Sequence, residues 1–145
     1  MAVLDTNFQT IELGDVAWHS KLNANFQYLN HYENISSTSY SCDTANANIK
    51  DYIIGVDAAT AGGNVTISLP KLNDNEIIQG GRTLHIIKVD SGTNHVDIQT
   101  DSTATTRDKL NGSTTATVRL LHTGERVTIF SAGKSDGWFG KFTNN

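Results

Sequence analysis

The run LHIIKVDSGTNHVDIQT, residues 84 to 100, places two apolar segments on either side of a DSGTN turn. Alternation of apolar and polar residues over four to eight positions is the period of a half-buried strand. Asp, Ser, Gly and Asn between two such runs supply the turn conformations that a reversal needs. Together they form the strongest hairpin signal in the chain and set its reading as a β protein.

Working outward, the same rhythm recurs. Further strands are expected at 49–56, 64–69, 115–121, 126–131 and 137–142, beside the pair at 83–89 and 95–100. Gly62-Gly63 and Gly80-Gly81 open strands, and Pro70, the only proline, closes one because it cannot donate to a ladder. Asn111-Gly112 suits a tight turn. Thr123-Gly124 and GKSDG (133–137) separate TVRLL, RVTIF and WFGKF, which reads as a closing meander. Short strands at intervals of about a dozen residues are the pattern of sandwiches and barrels. The expected fold is mainly β, an antiparallel, jelly-roll-like β-sandwich.

A different period precedes it. In DVAWHSKLNANFQYLNHY, residues 15 to 32, Trp18, Leu22, Asn25, Leu29 and Tyr32 recur at spacings of three and four, with Phe26 beside the stripe. This predicts an amphipathic helix, with Asp15 as its N-cap. Such a helix needs a surface to pack on. That surface is either its own β domain or other copies of itself, and a polar Asn25 inside a seam suits the second by setting register and oligomer number. Trp18, Leu22, Asn25, Phe26, Leu29 and Tyr32 are therefore the candidate oligomer seam. The chain divides into an N-terminal arm and helix, 1–34, and a β domain, 35–145. Ile35, Tyr40 and Cys42 read as a linker turning into the first strand.

Composition narrows the function. Lys and Arg number 11 against 15 Asp and Glu, and the basic residues are scattered, which argues against nucleic acid as a partner. No window reaches transmembrane length and the N-terminus lacks a basic, apolar leader, so neither membrane insertion nor export is expected. Cys42 is the only cysteine, which rules out an intrachain disulfide or a thiolate cluster.

A search for catalytic chemistry finds none that the spacing supports. Gly133-Lys134-Ser135 ends like a phosphate-binding loop, but Thr128 stands where the first glycine is required. The five histidines show no ligand spacing. Asp74 with Glu76, Asp90 with Asp97 and Asp101 with Asp108 fall in or beside turns, where Asp caps. No enzyme, cofactor or metal is expected. Loops carry recognition, and aromatic rings stack on sugar faces. Tyr52, Ser91, Thr93, Asn94, Lys134, Asp136 and Trp138 are thus the candidate glycan contacts, although a strand tryptophan such as Trp138 more often fills a core.

Two stretches carry a resemblance. GDVAWHSKLNANFQYLN, residues 14 to 30, looks like the N-terminal region of tailed-bacteriophage tail-fibre and related virion proteins, in which a tryptophan precedes a KLNxNF-type helix. VTISLP, the Gly-Gly turn, RTLHIIKVD, KLNG and ERVTIFSAG ending in GWF resemble small β modules of the same proteins. The resemblance implies a homotrimeric virion protein, assembled in the host cytoplasm, that contacts other tail proteins and attaches the phage to bacterial surface polysaccharide. A decoration or adaptor protein is the alternative within the virion, and a capsule depolymerase a weaker one. The chain is shorter than most tail fibres, shows no internal repeat, and lacks room for a long β-helix.

Overall fold

The computed structural model describes residues 32–42, 53–72, 80–101, 107–133 and 135–143. The regular elements among them are nine strands: β1 (Tyr32–Ile35), β2 (Ser39–Ser41), β3 (Ile53–Val56), β4 (Val65–Leu69), β5 (Gly80–Lys88), β6 (Val96–Thr100), β7 (Thr117–Leu120), β8 (Arg126–Ala132) and β9 (Trp138–Thr143). The larger sheet has the order β1-β3-β5-β8-β9 and the smaller one β2-β4-β6-β7.

The chain is mainly β, as expected, but the sheets are mixed rather than antiparallel. β1, β3 and β5 pair in parallel, as do β2, β4 and β6. The first six strands alternate between the sheets, so the chain winds through three coils that each give one strand to either sheet. Strands reached after a full coil run in the same direction, which is why they pair in parallel. Antiparallel pairing enters only at the end, where β7 joins β6, β8 joins β5 and β9 joins β8.

The expected hairpin at 90–94 is therefore an arch between sheets. A tight hairpin closes through a two-residue turn with positive φ, whereas this connection must cross about 10 Å from sheet to sheet. It does so around a buried ion pair. Lys88 continues the inward parity of Leu84 and Ile86 and is fully buried. Its ammonium donates to Asp90 Oδ1 at 2.6 Å, to the Asp90 carbonyl at 3.0 Å and to the Gly92 carbonyl at 3.1 Å, using all three of its donors. Asp90 Oδ1 also accepts from the Gly92 amide, and Oδ2 accepts from the Ala58 amide of the preceding arch. The Asn94 side-chain amide donates to the Ala58 carbonyl. Stacked arches are thereby fastened to each other.

The closing meander holds only in part. β8 and β9 form a hairpin, but β7 lies in the smaller sheet and the chain returns through 121–125. There the Glu125 carboxylate accepts from the Leu121 and His122 amides, while Lys88 N–H donates to the Glu125 carbonyl.

Tyr32 opens strand β1 rather than closing a helix, so β1 spans the expected boundary between 34 and 35. Trp18, Leu22, Asn25, Phe26 and Leu29 lie outside the described residues.

The core forms where the inward positions of both sheets meet. Ile54, Val56, Leu84, Ile86, Val127 and Ile129 come from the larger sheet, and Val65, Ile67, Leu69, Val96, Ile98, Val118 and Leu120 from the smaller. Burying each such side chain contributes roughly 1.5–3 kcal/mol. Trp138 is fully enclosed among them, and its indole N–H donates to the Pro70 carbonyl at 3.1 Å, which satisfies its one polar atom. Asn111-Gly112 makes the tight turn expected of it. Both residues have positive φ, and Leu110 and Ser113 exchange backbone hydrogen bonds across them.

Candidate functional site

The loop residues singled out in the sequence that the structure describes do not converge. Ser91 and Thr93 are exposed on the arch at 89–95, and Asn94 is partly buried there. Asp136 is exposed in the turn between β8 and β9. Strand β8 runs from the first of these regions to the second, because Lys88 N–H bonds Glu125 while Gly80 pairs with Ala132. Seven strand residues separate the two by about 20 Å. Trp138 is in the core, so a ligand arriving from solvent does not reach its ring. Tyr52 and Lys134 lie outside the described residues.

A different surface gathers the chemistry: the outer face of the larger sheet. Register places its outward positions in rows. Tyr32, Ile53, His85, Thr128 and Lys141 form one, Asn34, Gly55, Ile87 and Arg126 the next, and Thr83, Phe130 and Phe139 a third. Between the rows lies a shallow depression of about 420 Å³ lined by Ile53, His85, Ile87, Arg126, Val127 and Thr128. His85 Nδ1 and Thr128 Oγ1 are 3.0 Å apart across it.

Aromatic rings flank this depression. On one side Tyr32, 51% exposed, lies across Gly55, where a Cβ would overlap its hydroxyl and ring. On the other, Phe130 and Phe139 stack with centroids 5.8 Å apart and planes at 23°, and Phe130 is 49% exposed. An exposed face that combines large apolar side chains with a polar rim is characteristic of a binding surface.

The outer face of the smaller sheet differs in kind. It carries Ser and Thr with one charged cluster, in which Arg119 grips Asp97 through two hydrogen bonds of 2.6 and 2.8 Å and His95 approaches it at 3.3 Å. The Arg119 hydrogen bonds hold the Asp97 carboxyl below its ordinary range, against a smaller opposing effect of burial. This pair is complete in itself. Among the described residues, no three His, Cys, Asp or Glu side chains gather where they could hold a metal ion.

The sequence does carry a trace of the aromatic face. Four strands of the larger sheet contain two consecutive large apolar residues, Ile53-Ile54, Ile86-Ile87, Ile129-Phe130 and Trp138-Phe139, so one of each pair must point outward. In the smaller sheet VTISL, VDIQT and TVRL alternate strictly. Comparison of the sequence with protein-family models and with curated proteins found no match.

Proposed function

We propose that this chain is a non-enzymatic tail-fibre protein of a tailed bacteriophage, which attaches the virion to its host by binding bacterial surface polysaccharide as a homotrimer. The observation that carries the binding role is the outer face of the larger sheet. Two aromatic stations and a depression of mixed polar and apolar lining lie on hydrogen-bonded strands. Rings offer apolar area at low entropic cost, and His85, Thr128, Arg126 and Asn34 supply hydrogen-bonding groups around them. The virion assignment rests on the sequence resemblance, in which a WHSKLNANF segment precedes the β modules in the usual order.

Binding of the purified full chain to a panel of bacterial cells and their isolated surface polysaccharides tests the proposal. Retention by one or more polysaccharides, lost on Phe130→Ser, is expected. Retention by other tail proteins but by no polysaccharide would favour the adaptor reading instead, and shortening of the polymer would point to a depolymerase. Light scattering across a dilution series tests the oligomer: a trimer of the 15.7 kDa chain has a mass of about 47 kDa.

A further inference from the structure

We infer that the ligand of the outer face is an acidic glycan, a polymer whose sugars carry carboxylate or other anionic groups. This rests on the reading that the face takes a glycan and narrows the class.

The chain has net charge −4, yet none of the outward positions of the larger sheet with described side chains is acidic. The described acidic groups lie elsewhere. Asp57, Asp90 and Glu125 sit at the arch end, and Asp97 on the opposite sheet. Glu33 pairs with the inward-facing Ile54.

The outer face instead presents Arg126 at the depression and Lys141 one strand away, in the row of His85 and Thr128. Both cations are exposed, and among the described residues neither takes part in a salt bridge. Lys141 lies two residues from the stacked Phe139, and Arg126 lies at the depression one row beyond. A guanidinium left open on such a face is fitted to a carboxylate on a ring-shaped partner, because its planar fork binds carboxylate oxygens in pairs. Nucleic acid is less well matched, since among the described residues the face offers two cations and no basic track, and two cations release few counterions.

The test is a binding array of acidic and neutral bacterial polysaccharides probed with the full chain. For every acidic polymer retained, its carboxyl-reduced form is measured alongside. Arg126→Gln and Lys141→Gln serve as variants, both at exposed positions where the fold is undisturbed. The expected result is retention of acidic polymers only, loss on carboxyl reduction, and about tenfold weaker binding for each variant. Retention of neutral polymers alone, or binding by both variants as tight as that of the unsubstituted chain, would overturn the acidic class while leaving glycan binding intact. Retention of nothing would overturn the glycan reading itself. A Phe130→Cys thiol in a Cys42→Ser background that stays unreactive to maleimide in the native protein would show the face covered by chain rather than ligand, and would also overturn the inference.

Discussion

The Tyr32 ring lies over Gly55 on the neighbouring strand, filling the space where any other residue would place its Cβ. Paired register sets Asn34, not Tyr32, opposite Gly55, so the ring leans along the strand by two residues to reach it. Gly55 itself is buried by this contact. Gly55→Ala should therefore displace the ring and destabilise the protein by about 1–3 kcal/mol. In a Tyr32→Ala background the same substitution should be close to neutral. A double-mutant cycle in urea measures the coupling, and additive costs would show that the two residues do not interact.

Lys88 and Asp90 hold the arch between β5 and β6, each side chain through three hydrogen bonds. Asp90 keeps the Ala58 and Gly92 amides when Lys88 is lost, but its charge is then buried without a cation. Removing one partner of a buried pair costs about 3–5 kcal/mol. Lys88→Met should fall in that range, and Lys88→Met with Asp90→Asn should recover part of the loss. Denaturation midpoints at one fixed protein concentration check this.

Acid should weaken the fold through the same arch end. Burial pushes the Asp90 carboxyl upward, but hydrogen bonds from Lys88, Ala58 and Gly92 outweigh it and hold the group below its ordinary value of 3.8. Glu125 is likewise lowered, because the Leu121 and His122 amides outweigh its burial. The unfolded chain binds protons at these sites before the folded one does. Their stabilisation is thus present above the ordinary carboxylate values and is lost as pH falls through the lowered folded values. Melting temperature should drop steeply below about pH 4, and Asp90→Asn should show a shallower decline over that range.

Trp138 carries stability rather than recognition. Trp138→Phe keeps a ring in the core but leaves a cavity and deprives the Pro70 carbonyl of its indole donor. The cost should be about 2–3 kcal/mol. Polysaccharide binding per folded molecule should be unchanged. A selective loss of binding at full stability would place this side chain in the ligand site after all.

Gly137 explains why Trp138 arrives where it does. It has φ +85°, and a Cβ there would collide with the Lys109 carbonyl, which accepts from the Trp138 amide at 2.8 Å. Gly137→Ala should therefore resemble Trp138→Phe in its effect on stability. Circular dichroism melts compare the two directly.

Much of the strand content was legible because side-chain alternation is a local property. Val65, Ile67 and Leu69, or Val127 and Ile129, face the core by parity alone, and Asn111-Gly112 makes its turn from two adjacent residues. Parity tells which face a residue takes. It does not tell which strand lies beside it. β5 and β6 look like hairpin partners in sequence, yet each pairs with strands a coil away, and the arch between them depends on Ala58, 32 residues before Asp90. Repetition was hidden for a related reason. Paired positions are 21 residues apart from Tyr32 to Ile53 and 32 apart from Ile53 to His85, so the coils share geometry without a common period.

By itself, then, the sequence determined that this is a β protein, where most of its strands lie, and that Trp138 belongs to a strand. The tertiary structure alone decided that the strands wind in parallel coils, that Lys88 is an interior residue, and that Tyr32, His85, Arg126 and Phe130 share one surface. The physical reason is range. Periodicity and turn chemistry act between neighbours in the chain, whereas sheet partnership and a binding face are made by residues brought together only when distant strands pair.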